Sequence, residues 1–265
     1  MRQLLSVLLA SSTLVACAGG STASADWTLV WEDEFNGPAN ALPADSNWTF
    51  DIGTDWGNAQ LEYDTNRPEN VSLDGAGNLR IVARQEPWLG RNYTSGRIKT
   101  KVKQEFQYGR FEARIRQPTG RGLWPAFWML GSNIDVVGWP QTGEIDVMEY
   151  RGQEPTITHG SIHGPGYSGG NAITRRYFIP SGRLDTAFHV YSAEWSANQI
   201  RFYVDDQVFH VVNKGEQTGA WVFDQPFFIL LNLAVGGGFV GAPDGSTTFP
   251  QTMLIDYVRV YQKAP

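Results

Sequence analysis

The chain has one cysteine, Cys17, in 265 residues. No disulfide can form within it, so its stability must come from a buried core, and a chain this long can build one. It also lacks a basic balance. Lys and Arg total 21 against 27 Asp and Glu, for a net charge of −6. Nucleic-acid phosphates call for the opposite sign, which argues against a nucleic-acid partner. Apolar runs long enough to span a bilayer are missing: the N-terminal one starts at Leu4 and stops at Val15, and Phe227–Val235 is shorter still. Long amphipathic helical patterns are scarce, with one weak helix-like stretch at 181–187. No His/Cys cluster has the spacing of a zinc or iron site. What the chain does have is aromatic residues, 13% of the total, and 29 glycines.

Aromatic-rich strands joined by Gly-rich turns suggest an all-β protein with a face suited to flat, ring-shaped ligands. Polar and apolar residues alternate along 78–84, 95–103, 109–116, 200–205 and 253–261, so each stretch reads as a strand with one wet and one buried face. Phe227–Val235 is apolar on both faces and reads as a central strand. Asp74-Gly75-Ala76-Gly77 and Val204-Asp205-Asp206-Gln207 read as turns. Many short strands at this spacing predict a sandwich or barrel. No repeat or linker divides the region after residue 26, which reads as one domain over 27–265.

Residues 1–16 read as a lipoprotein signal peptide, with Arg2 as the positive end and an apolar stretch after it. Leu14-Val15-Ala16-Cys17 resembles the bacterial lipobox, in which cleavage precedes a lipid-modified cysteine. An ordinary signal cut after Ala23-Ser24-Ala25 is the alternative. In either case the small residues before 27 form a tether, 17–26 if Cys17 carries the lipid. The expectation is an exported monomer, held to a bacterial membrane only through Cys17, or secreted.

The chemistry concentrates in Gly143-Glu144-Ile145-Asp146-Val147-Met148-Glu149-Tyr150. Residues two apart on a strand share a face, so Glu144 and Asp146 point one way and Ile145 and Val147 the other. Strict alternation would send Glu149 into the core, where an unpaired carboxylate costs several kcal/mol, on the order of 3–5. A β-bulge at Val147-Met148 would return it to the acidic face. Crowded carboxylates raise one another's pKa, as an acid/base pair working near neutral pH requires. Four effective positions separate the outer Cα atoms by about 13 Å, which two long Glu side chains on a curved strand can largely close. A retaining glycosidase needs its two carboxyls about 5 Å apart. A wet strand face or a calcium site would also hold acids. Gly143, the apolar alternates and the aromatic surroundings favour catalysis.

The segment resembles the active-site strand of glycoside hydrolase family 16, Glu-x-Asp-x-x-Glu in its bulged form. The likeness extends through Trp124-Pro125-Ala126-Phe127-Trp128-Met129-Leu130, Tyr93–Thr100, His163-Gly164-Pro165-Gly166-Tyr167 and the closing Asp256–Tyr261. It is nearest to the laminarinase branch, the endo-acting β-1,3-glucanases. That resemblance implies a jelly-roll β-sandwich of two curved antiparallel sheets with a concave cleft. It also implies Glu144 as nucleophile, Asp146 as its helper and Glu149 as general acid/base. No cofactor is implied for catalysis.

The resemblance further places Trp128 and Trp139 under glucose rings, with Trp195 lining the cleft. Trp124, by contrast, reads as an ordinary core residue. Arg97, Asn58 and Asn232 become candidates for sugar hydroxyls, and His163 is placed beside Glu149. A structural Ca²⁺ is implied on the convex side, held by Glu34, the Gly77 carbonyl and Asp256; all-oxygen donors suit that ion, although water could fill the same place. The chain departs from the common laminarinase pattern at Ala59-Gln60-Leu61-Glu62, where Asn-Glu-x-Gln is frequent. It departs again at Gly236-Gly237-Gly238-Phe239, where Asn-Trp often follows the paired Gly. Mixed-linkage β-1,3-1,4-glucan hydrolysis and glucan transglycosylation are close alternatives, and a non-catalytic glucan-binding lectin is the alternative of another class.

Overall fold

The computed structural model describes residues 27–263, and the expectations for Cys17, the signal segment and the tether lie outside them. The cleft-bearing sheet has seven strands: Thr49–Phe50 (β1), Arg97–Lys99 (β2), Leu123–Gly131 (β3), Glu144–Tyr150 (β4), Ile157–His163 (β5), Ile173–Phe178 (β6) and Phe227–Val235 (β7). They lie in the order β6-β5-β4-β3-β7-β2-β1, every neighbouring pair antiparallel. A second sheet of ten strands packs behind it. Its centre is the long strand Gln251–Lys263, flanked by Gly109–Arg116 and Leu79–Trp88. Among the described residues the one parallel pairing joins Glu62–Asp64 to Arg91–Ser95.

One apolar core fills the space between the sheets, and strand periodicity explains who contributes to it. On β7, Phe227, Ile229, Leu231, Leu233 and Val235 face this core. The alternate residues Phe228, Leu230 and Ala234 lie on the opposite face with Leu130 and Trp124. Both faces are covered, which accounts for the uninterrupted apolar run in the sequence. The Val204–Gln207 turn is a tight hairpin in which Asp205 and Asp206 both have left-handed φ, 47° and 65°. That is the twist a two-residue hairpin loop favours.

Three local expectations are corrected. The 181–187 stretch is turn and bend, and the only helix longer than three residues among those described is Ile134–Val137 (α1). The 95–103 stretch is not a single strand. It ends one strand at Ser95, crosses between sheets at Gly96, runs as β2 and turns at Lys101–Lys103. At the crossing a side chain would not fit: a Cβ on Gly96 would stand 2.1 Å from Val71 Cγ2. Trp195 belongs to the core. It is 2% exposed on a strand of the ten-stranded sheet, packs on Phe111 and Phe227, and donates its indole N–H to the Phe223 carbonyl at 3.0 Å. Its sheet does not form the cleft, so it cannot meet substrate there.

Candidate active site

The site begins with a fault in one ladder. Between Asp146 and Glu149 the register of β4 slips against both neighbours, β3 and β5. Val147 and Met148 both turn into the core, 1% and 0% exposed, so two successive residues point inward. Glu149 therefore emerges on the same side as Glu144 and Asp146, and all three line one cleft. This is the expected bulge, at the expected residues.

The cleft has a volume of about 860 Å³. Its walls come from six successive strands, from Arg176 on β6 to Arg97 on β2, with the loops bearing Trp56, Asn58, Trp139 and Phe239 above them. The two glutamates are held by indoles. Trp139, on the loop after α1, donates to Glu144 Oε2 at 2.9 Å, and Trp124 donates to Glu149 Oε1 at 3.0 Å. Burial raises the Glu144 pKa to about 8, with the Asp146 charge adding to it. Burial and the Glu144 charge raise Glu149 to about 7. Asp146, 3% exposed, is also pushed up by burial and by Glu149, while its hydrogen bond with Glu144 acts the other way. Three such groups cannot all ionise at neutral pH, so the site keeps at least one proton.

His163 pairs across the ladder with Glu144, not Glu149. Its Nε2 lies 2.9 Å from Asp146 Oδ2 and 3.6 Å from Glu144 Oε1. Its Nδ1 accepts the Gly169 N–H at 3.1 Å, so the proton of the neutral ring sits on Nε2, facing the acids. The expected place beside Glu149 is taken by His159, which opposes it across the ladder. Burial and the Arg151 charge push His159 down to about 4, so it stays neutral at ordinary pH.

On the other side of the acids, Trp128 donates to Asn232 Oδ1 at 2.7 Å. Arg97, opposite Asn232 in the ladder, is bonded through Nε to Asp51 and lies between two indoles, 4.9 Å from Trp128 and 5.1 Å from Trp56. Asn58 sits in a left-handed turn, φ 54°, and its carbonyl accepts the Gly238 N–H, which ties together the two loops that depart from the common pattern. Trp139 is 47% exposed, as a stacking platform must be.

Trp124 is buried as expected, 9% exposed, but in a small cluster of its own with Ala234, Val240 and Phe239. It lines the cleft and is not part of the main core. Strand parity carried that signal: four residues apart on β3, Trp124 and Trp128 must share a face. The same parity extends His163 to Ser161 and His159. Nothing local in the sequence marked Trp56 or Phe239.

Two groups of side chains could offer donors to a metal ion. The two oxygens of Glu34 are held by Arg259 at 2.7 and 2.9 Å, and Asp256 is paired with Arg114 at 2.5 Å. Each carboxylate already faces a guanidinium, so as arranged neither Glu34 nor Asp256 is free to hold a calcium ion. Glu144, Asp146 and His163 bring possible ligand atoms within 4.8 Å of one another. There the ring proton occupies the only His163 nitrogen facing the site, which suits hydrogen bonding rather than ligation.

The sequence profile of the glycosyl hydrolases family 16 matches residues 51–259. The chain belongs to that family. It is 41% identical over 272 residues to a β-glucanase of Rhodothermus marinus, covering 98% of this chain and 93% of that protein. The laminarinase catalytic domain of Thermotoga maritima superposes with a TM-score of 0.85 at 44% identity, over 91% of this chain and 100% of that one. An endo-β-1,3-glucanase of Pyrococcus furiosus gives 0.85 at 46% identity, over 90% and 95%. As a family 16 member the chain is a glycoside hydrolase of jelly-roll fold, and a polysaccharide is its substrate. Hydrolysis by paired carboxylates needs no cofactor.

Proposed function

We propose that this family 16 enzyme is an endo-acting β-1,3-glucanase that cleaves with retention of anomeric configuration. Glu149 protonates the glycosidic oxygen while Glu144 attacks the anomeric carbon, forming a covalent glycosyl-enzyme. Water then gives its proton to Glu149 and releases the sugar in its original configuration. Asp146 and His163 orient Glu144 and moderate its charge. Trp128 and Trp139 cover sugar faces, while Arg97, Asn58 and Asn232 meet hydroxyl edges. What supports the reading above all is the bulge that puts Glu149 on one face with Glu144 and Asp146. A lectin has no use for three crowded acids, whose repulsion destabilises the fold. The linkage follows the relatives described as laminarinases and endo-β-1,3-glucanases. Export, lipidation at Cys17 and a membrane contact limited to that anchor belong to the same proposal and rest on the N-terminal sequence alone; a monomeric state is proposed with them.

The test is reducing-sugar release from laminarin, lichenan, cellulose and agarose, with the anomer of the first product read by NMR. We expect release from laminarin, β-anomer first, and a loss on the order of 10⁴-fold in Glu144→Ser. Laminarin bound but never cut by the wild type would overturn the proposal in favour of the lectin. An α-anomer first would overturn the retaining mechanism.

A further inference from the structure

We propose that Trp124 and Phe239 form a positioning brace for Glu149, one that decides which of its two oxygens carries the transferable proton. The proposal rests on the reading of Glu149 as general acid/base. An indole N–H can only donate. Because Trp124 Nε1 donates to Oε1 at 3.0 Å, that oxygen must accept, and the acidic proton is left to Oε2. In the first step the Oε2–H bond breaks and its proton passes to the glycosidic oxygen as the C–O bond to the leaving sugar breaks. In the second step a water proton returns to Oε2. Glu149 can repeat this cycle without turning only if the indole stays in place.

Phe239 is what keeps it there. Its ring lies 5.0 Å from the Trp124 ring, tilted by 41°. The same phenyl meets His159 nearly edge-on at 5.2 Å and takes the Arg151 guanidinium at 4.0 Å. The loop carrying it presses on the indole from behind. Gly237 has φ 103°, and a Cβ there would stand 3.3 Å from Trp124 Cζ3 and 3.0 Å from the Asn58 carbonyl. Phe239 occupies the position where the common laminarinase pattern has Trp, so a large aromatic should substitute for it and an aliphatic should not.

The diagnostic is leaving-group dependence. kcat/KM is measured for Trp124→Phe, Phe239→Leu, Phe239→Trp and Glu149→Ala on laminarin and on a 2,4-dinitrophenyl β-laminaribioside, whose leaving group departs without a proton. Trp124→Phe and Phe239→Leu should lose about 10- to 100-fold on laminarin, within the range general acid catalysis supplies, and less than about 3-fold on the activated substrate. Phe239→Trp should stay close to wild type. Removing the N–H that favours the ionised carboxylate should also move the alkaline limb of the Trp124→Phe profile to higher pH. Equal losses on both substrates, or an unaltered Phe239→Leu enzyme, would overturn the brace. Full laminarin activity in Glu149→Ala would instead overturn the underlying reading of Glu149.

Discussion

Asp146 sits between the two glutamates, 3% exposed, sharing a hydrogen bond with Glu144. Burial is the largest influence raising the Glu144 pKa, and the Asp146 charge is the next. Asp146→Asn keeps the shape and deletes that charge. Glu144 should then ionise more easily, so the acid limb of the kcat/KM profile should move to lower pH. Activity at the optimum should fall roughly tenfold or more as the orienting carboxyl is lost. A pH titration of initial rates on laminarin checks both, and an unmoved acid limb would mean Asp146 has no electrostatic part. At this scale residue types and their parity carried most of the site. Glu144, Asp146 and Glu149 were legible because acids on an apolar strand have few other uses. Trp195 was misplaced because one strand's alternation does not say which sheet it joins.

The decisive element is β4. Its extra residue is the reason the pattern is Glu-x-Asp-x-x-Glu and not a strict alternation. Deleting Met148 would leave Glu144, Asp146 and Glu149 at alternate positions, so plain alternation would keep all three acids on one face without a bulge. What the deletion removes is the core packing of Met148, which is 0% exposed, a loss of about 2–5 kcal/mol. The deletion variant should therefore keep measurable activity on laminarin and unfold at a distinctly lower urea concentration. A folded but inactive deletion variant would show that the bulge itself, and not only the shared face, sets the spacing of the acids. The bulge was readable because the cost of a buried carboxylate is large enough to overrule simple periodicity. The break of 95–103 at Gly96 was not, because the close approach of Val71 comes from a distant strand. Likewise, the 181–187 stretch shows that a short, weak helical pattern yields to the turn its neighbours require.

For the molecule as a whole, the site is a source of instability. Burial raises Glu144 from 4.5 to about 8, and Glu62 and Glu149 from 4.5 to about 7. A carboxyl whose folded pKa exceeds its unfolded one adds stability below the unfolded value. That contribution is lost as pH rises through the folded value. Stability should therefore decline between about pH 4.5 and pH 8. Glu144→Gln and Glu149→Gln should each be more stable than wild type at pH 8 by roughly 1–3 kcal/mol, and scarcely so at pH 4. Thermal melts at the two pH values check this, at about 2–4 °C per kcal/mol for a domain of this size. Equal melting temperatures at pH 8 would mean the acids are not strained in the folded state.

By itself the sequence determined the all-β class, the acidic face of one strand and the need for a bulge there, since these depend on neighbours within a few residues and on the high cost of burying charge. Only the tertiary structure decided that Trp195 lies in the core and Trp124 on Glu149, that His163 faces Glu144, and that Phe239 closes the wall beside the acid. Those contacts join segments tens to more than a hundred residues apart, and local periodicity fixes the face a side chain takes but not the partner that face will meet.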